Sequence, residues 1–398
     1  MLPSTGNKSS LRLSRLNSHL LQLGQLGPGE EAAAAAAAAA GPAAVPAAAG
    51  TKVRVGMVGL GGRGTGTLGT IERSARLQAK MSVVALADVD PAALQPHKDK
   101  GYKLFDSAHE LIQSGLIDAL LIVTPHYYHT TIGIEALQAG LHVLTEKPIS
   151  VHKADCEKLI AAYDARPHKS QKFAAMFNNR NNPMYNKVRD MVANGELGTL
   201  QRGMFTFQQP YMQLGCIVYT CTDLSNAAAV NWIITTWFRP QAYYDRGGWR
   251  GTWAGEGGGV LSNQCPHNLD LLVSILLCAH SVTVSFHASV LVSQQWMLGV
   301  MPTTIRSICR LGHTHDIEVE DDVTAVLEYE NGASGVFVTT TGEAPGTNRL
   351  EIVGTKGRLV AETTGIPTPE DPTGGRKVSS CDLHSKDILE VVVVSGSV

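Results

Sequence analysis

Paired cysteines are missing from this chain. Its seven cysteines (Cys156, Cys216, Cys221, Cys265, Cys278, Cys309 and Cys381) are scattered, odd in number, and form no C-x-x-C step. That argues against both a metal knuckle and a secreted disulfide framework, and it fits free thiols in a reducing compartment. No metal site is expected. Charge of one sign is also missing: the formal net charge is -2, so nothing draws the chain to nucleic acid or an anionic membrane. Nor is there a long unbroken apolar run. The most apolar stretch, Leu269–Met301, is interrupted by His280, Ser281, Ser285 and His287, whereas a membrane helix needs ~20 consecutive apolar residues. Acids are absent before Glu30, where Lys8, Arg12, Arg15, several serines and Leu13, Leu16, Leu20 and Leu23 stand. This start resembles an organelle transit peptide and lacks a secretory apolar core. An organellar or cytoplasmic protein is expected, not a secreted one.

Residues 1–50, which include the alanine run Ala32–Ala40, read as a low-complexity extension. Folded texture begins at once after it. Val53–Val58, Ser82–Ala87, Ala119–Val123, Leu141–Leu144 and Lys172–Met176 are short apolar runs of the kind that form buried parallel strands. Helical stretches such as Thr131–Ala139 and Lys153–Ala165 separate them. Strand and helix in alternation predict right-handed crossovers and one doubly wound sheet, a Rossmann domain over residues 51–177.

The rhythm changes after Asn178. A helix is expected over Pro183–Asn194, and strands at Gln201–Phe207, Thr324–Tyr329, Gly335–Thr340, Arg349–Val353 and Gly357–Val360. The second and third of these strands are joined by Glu330-Asn331-Gly332-Ala333, a hairpin signal. Residues 178–362 therefore predict an α+β domain with a large, open, mostly antiparallel sheet. Residues 363–398, with Pro367, Pro369 and Pro372, read as an irregular tail.

Gly59-Leu60-Gly61-Gly62-Arg63-Gly64 follows the first strand directly and fits G-x-G-x-x-G. Such a loop permits a tight turn, close approach to a pyrophosphate and a helix N-terminus aimed at the anion. Asp88 ends the second strand, where a carboxylate accepts from an adenosine ribose diol and repels a 2′-phosphate. NAD is the expected cofactor, with NADP possible. At the end of the fourth strand stands Thr145-Glu146-Lys147-Pro148, on the crevice side of a doubly wound sheet.

Together with Thr124, Pro125 and His129, and with Gly257-Gly258-Gly259…His267…Asp270, these motifs resemble the Gfo/Idh/MocA family of NAD(P)-dependent oxidoreductases. Agreement runs from about Val53 to Val360. The resemblance implies a dehydrogenase acting on CH–OH groups of a sugar, inositol or related polyol. Lys147 would bind the reacting hydroxyl and His267 would act as acid/base. Gly59–Gly64, Asp88, Thr124, Pro125, His129, Glu146 and Lys147 would hold the cofactor. Arg180, Asn263, His267, Trp249 and Arg250 would face the substrate, Arg180 foremost. A homodimer or homotetramer built on the open sheet is also implied, as are insertions near residues 210–229 and 274–295. One departure stands out: many family members carry aspartate four residues before the histidine, where this chain has Asn263. Two other readings remain open. One is an NAD-dependent glycoside-cleaving enzyme on the same fold, the other a non-catalytic dinucleotide-binding regulator.

Overall fold

The computed structural model describes residues 51–198, 229–274, 303–328, 334–354, 356–363, 376–382 and 388–392. The N-terminal extension, the expected strand Gln201–Phe207, the Asn-Gly turn and nearly all of both expected insertions lie outside the described residues. Two compact units are present. Unit 1 includes residues 51–177 and 242–258, and unit 2 the described residues from 178 to 241 and from 259 onward.

In unit 1, β1 (Val53–Val58), β2 (Met81–Ala87), β3 (Lys103–Phe105), β4 (Ala119–Ile122), β5 (His142–Thr145) and β6 (Phe173–Ala175) form one sheet in the order β3-β2-β1-β4-β5-β6. Every pairing is parallel. Helices α1 (Gly62–Arg73), α2 (Ala108–Gln113), α3 (Tyr128–Gln138) and α4 (Lys153–Asp164) provide the longer connections. Two separate cores flank this sheet. One gathers Val58, Leu120, Ile122, Val143 and Leu159, the other Met57, Leu68, Leu86 and Leu121. Neighbours such as Leu121 and Ile122 thus go to opposite sides, which is why these strands read as continuous apolar runs. The sheet matches the sequence expectation, with β3 added. Lys-Leu-Phe is too short for its periodicity to stand out.

Unit 2 holds an eight-stranded mixed sheet in the order β14-β13-β12-β11-β7-β10-β9-β8. Its strands are β7 (Ala229–Ile234), β8 (Thr304–Leu311), β9 (Glu320–Glu328), β10 (Ser334–Thr340), β11 (Asn348–Val353), β12 (Gly357–Thr363), β13 (Arg376–Asp382) and β14 (Ile388–Val392). Only β7 with β10 is parallel among these pairings. Along β9, Val323, Ala325 and Leu327 are buried, while Val326 between them is 41% exposed. This alternation marks a sheet with one covered face. On the covered side α5 (Pro183–Ala193) contributes Met184, Tyr185, Val188, Met191 and Val192 to a core shared with Trp232, Phe337 and Leu350.

Two sequence expectations are corrected here. The region after Glu362 is not an irregular tail throughout, because β13 and β14 extend the sheet antiparallel from β12. Its prolines precede β13, so they leave the ladder donors of Arg376–Asp382 intact. The second correction concerns Ala242–Gly258, which folds with unit 1. Gly257 shows why the fit is tight: its φ is +78°, and a Cβ there would lie 2.0 Å from Val151 Cγ1. The next glycine but one, Gly259, is closed in by unit 2, where a Cβ would lie 1.8 Å from the Glu320 carbonyl oxygen.

Among the described residues, no helix is long and apolar enough to cross a membrane.

Candidate active site

The glycine loop joins β1 to α1. Gly59 has φ +93°, and a Cβ there would meet the Val123 carbonyl at 2.5 Å. A Cβ on Gly64 would fall 1.9 Å from the Gly59 carbonyl. These two glycines close the turn. Gly61 and Gly62 differ: a Cβ on either meets nothing within 4 Å, so the backbone there borders open space. No side chain caps the N-terminus of α1, whose N-cap is Gly61. A Thr124 hydroxyl at the end of β4 is buried with no partner. Open space over bare backbone, uncapped amides and an orphaned hydroxyl suit a dinucleotide with its anionic pyrophosphate.

Asp88 is buried at the end of β2. Its Oδ2 accepts the Leu60 N–H at 2.7 Å and its Oδ1 the Asp90 N–H at 2.9 Å. The carboxylate therefore fixes the glycine loop from the end of β2.

Lys147 follows β5 and is largely buried. Burial pulls its ammonium from 10.5 down to about 8. Glu146 resists that fall, Arg250 and Arg63 add to it, and Glu256 resists it. Glu146 is itself tied on both sides: Oε1 takes Arg63 Nε at 2.5 Å, and Oε2 accepts the backbone N–H of Lys147 at 3.2 Å.

The returning segment, residues 242–258 of unit 1, places further charge near Lys147. Arg250 lies over the Trp249 ring at 4.3 Å and the Tyr243 ring at 4.6 Å, and donates from Nη1 to Glu256 Oε1 at 3.0 Å. Glu256 Oε2 accepts the Gly251 N–H at 2.7 Å. Burial raises the Glu256 carboxyl, with Gly251, Arg250 and Lys147 pulling the other way. The Glu256 carbonyl accepts His126 Nδ1 at 2.9 Å. Burial, then His129, depress His126 to about 3, so its ring is neutral at working pH. Sequence reasoning missed Glu256 and His126. The signal for Glu256 was present: a lone acid in Gly-Thr-Trp-Ala-Gly-Glu-Gly-Gly-Gly needs a partner if buried, and Arg250 is the cation in reach.

His129, expected to help hold the cofactor, is 1% exposed, and both ring nitrogens face backbone carbonyls. It is a strut in the unit 1 wall.

In unit 2, α6 (Pro266–Ser274) carries His267 in its first turn, half-buried, one helical turn beyond the buried Asn263. Arg180 donates to Asp270 from Nε at 2.7 Å and Nη2 at 2.5 Å. Asp270 is fully covered, and burial raises its carboxyl against the pull of Arg180. The Arg180 fork is thus held by α6, and the Arg250 fork by Glu256. Both were expected to face substrate. A guanidinium near a buried carboxylate pairs with it first, because an unpaired buried charge is costly. Among the described residues no group of three His, Cys, Asp or Glu could hold a metal ion.

A Rossmann sheet with this glycine loop, a low-pKa lysine beyond β5 and a second mixed-sheet unit define a dinucleotide-dependent oxidoreductase class. Comparison narrows it. Residues 53–171 match the oxidoreductase family with NAD-binding Rossmann fold, and residues 227–360 match the GFO/IDH/MocA C-terminal domain. The chain belongs to the Gfo/Idh/MocA oxidoreductase family, and its first unit is the NAD-binding domain. It is similar to the myo-inositol 2-dehydrogenase of Thermotoga maritima, 24% identical over 82% of this chain and 81% of that protein. It is 29% identical to an inositol 2-dehydrogenase of Corynebacterium glutamicum over 37% of this chain. That match spans less than half, 43%, of the Corynebacterium protein. A solved structure of the same fold is the WlbA dehydrogenase from Bordetella pertussis in complex with NADH and UDP-GlcNAcA. Its TM-score is 0.60 at 26% identity, covering 78% of each chain.

Proposed function

We propose that the protein is an NAD-dependent dehydrogenase that oxidises a secondary alcohol of a sugar, inositol or related polyol. The observation that carries this reading is Lys147. It is a buried ammonium brought to about 8, at the C-terminal end of a strand in the same sheet as the cofactor loop, where doubly wound folds bind ligands. A lysine so poised donates to an alcohol oxygen and stabilises the negative charge that develops as the C–H bond breaks. Bound NAD would supply the hydride acceptor, held by the Gly59–Gly64 loop, Asp88 and Thr124. His267 would take the hydroxyl proton, so each turnover moves one hydride to the nicotinamide and one proton to the imidazole. The names of the inositol dehydrogenases above support the polyol class.

Self-association through the uncovered face of the unit 2 sheet belongs to the same proposal. Ile308, Val326 and Ile233 are 63%, 41% and 40% exposed there, and an apolar sheet face favours a partner over water.

The test is a screen of sugars, inositols and their acids with NAD and NADP, read by reduced-nicotinamide absorbance. Net reduction with a polyol supports the reading. Glycoside cleavage without net reduction would move the protein to hydrolytic chemistry. Tight NAD binding with no turnover on any of these substrates would make it a regulator.

A further inference from the structure

We propose that His129 is the positioning residue of Lys147. It ties the chain just past the lysine to the chain just past β4 through a proton on Nδ1. The proposal rests on the reading of Lys147 given above.

His129 lies in the first turn of α3, between the two loops that follow β4 and β5. Its Nδ1 is 2.7 Å from the Pro148 carbonyl oxygen and its Nε2 is 2.9 Å from that of Thr124. Both partners can only accept, so each contact needs a proton on the ring nitrogen. A neutral imidazole holds one, an imidazolium two. The proposal puts the first proton on Nδ1, facing Pro148, because that contact reaches the residue next to Lys147. Burial and Lys147 disfavour a second proton, while the two carbonyls and Glu146 favour it. His126, whose ring lies 6.0 Å away, is the other titratable neighbour and stays neutral. With that tautomer the Nδ1 donor survives in either charge state and fixes the backbone that carries the lysine. Misplacement of a reacting group by about 1 Å costs on the order of 10²-fold in rate, so a tether at this point bears on turnover without contacting substrate.

Three variants separate the two nitrogens. His129→Asn places an amide donor near the Nδ1 position, His129→Gln near the Nε2 position, and His129→Phe keeps ring volume without a donor. The expected order of kcat is wild type, then Asn within about tenfold, then Gln and Phe together about 10²-fold down. The Kd for NAD should stay within about threefold throughout. If Gln matches or exceeds Asn, or if all three keep wild-type kcat, the tether is not at Nδ1 and the proposal falls. A rise in Kd and KM for NAD with kcat at saturating NAD unchanged would return His129 to cofactor contact and also overturn it. Two measurements need no substrate, and the first needs no variant. The 15N shift of His129 Nδ1 in the wild-type protein should be that of a protonated nitrogen, and an unprotonated shift sinks the idea. The pH dependence of Lys147 acylation in the Asn variant should follow the wild type. These readouts stand even if no polyol is turned over, so failure of the dehydrogenase reading remains distinguishable from failure of this one.

Discussion

Arg63, inside the cofactor loop, grips Glu146 at 2.5 Å, and the other carboxylate oxygen of Glu146 holds the backbone N–H of Lys147. One carboxylate therefore joins the glycine loop to the lysine of the proposed mechanism. Arg63 is 57% exposed, so the ion pair itself adds little to stability. Its effect is on the charge of Lys147. Arg63→Met removes a cation and leaves Glu146 in place, so the lysine holds its proton to higher pH. Glu256→Gln removes an anion, so the lysine loses its proton at lower pH. Opposite displacements of the Lys147 titration, followed by pH-dependent acylation, are the expected result. Shifts in the same direction would refute this account of the charge balance.

In the proposed mechanism Lys147 acts as an ammonium, so the active form dominates below about 8 and is lost as pH rises through that value. The plot of kcat/KM against pH should fall on its alkaline side near 8, far below an exposed lysine. Lys147→Ala should lose ~10²–10⁴ in kcat, the usual worth of a positioned proton donor. NAD binding should be kept, because the lysine serves the alcohol and not the pyrophosphate. Near wild-type turnover in this variant would make Lys147 structural.

Gly61 and Gly64 should respond oppositely to a methyl group. Gly64→Ala drives a Cβ to 1.9 Å from the Gly59 carbonyl, which the backbone cannot absorb, so the variant should lose thermal stability. Gly61→Ala projects into open space and should fold normally, yet weaken NAD binding by about tenfold or more because the methyl occupies room a pyrophosphate needs. Calorimetry and NAD titration together read both arms.

Asp270→Ala strands the Arg180 fork beside α6. Breaking a buried pair costs roughly 3–5 kcal/mol, and the partial exposure of Arg180, 33%, lowers that to roughly 2–3 kcal/mol. Urea unfolding measures it. The double variant Arg180→Met/Asp270→Leu should recover most of the loss, since neither charge is then left unpaired. Failure to recover would show that Arg180 has a separate role.

Asp88 should favour NAD, since its carboxylate repels a 2′-phosphate. Asp88→Ser should narrow the ratio of NAD to NADP affinity. It should also loosen the glycine loop, because the Leu60 N–H loses its acceptor. A wild-type protein with higher affinity for NADP would contradict the first part.

Local rules were enough for the Rossmann unit. Its strands are buried on both faces and so read as apolar runs, and Gly64 is demanded by a backbone clash with Gly59, a few residues back. The placement of Lys147 after β5 followed from the same pattern. Unit 2 was less legible. β8 was missed because an edge strand has no single buried face to impose an alternation: Ile305, Ile308 and Leu311 are all more than half exposed. The proline-rich approach to β13 hid two strands that exist by pairing with β12, a contact fixed by tertiary structure.

The sequence by itself determined which residues carry charge and which loop can lie against a pyrophosphate, because those properties belong to single side chains and short backbone stretches. Only the tertiary structure decided what each charge faces. Arg250 and Arg180 read as substrate ligands, and the structure adds that Glu256 and Asp270 hold them; His129 read as a cofactor contact, and both its nitrogens meet carbonyls. The return of Ala242–Gly258 to unit 1 was equally invisible. In each case the partner is remote in sequence or set by a fold-back, and the cost of an unpaired buried group selects it only once the chain has brought the two together.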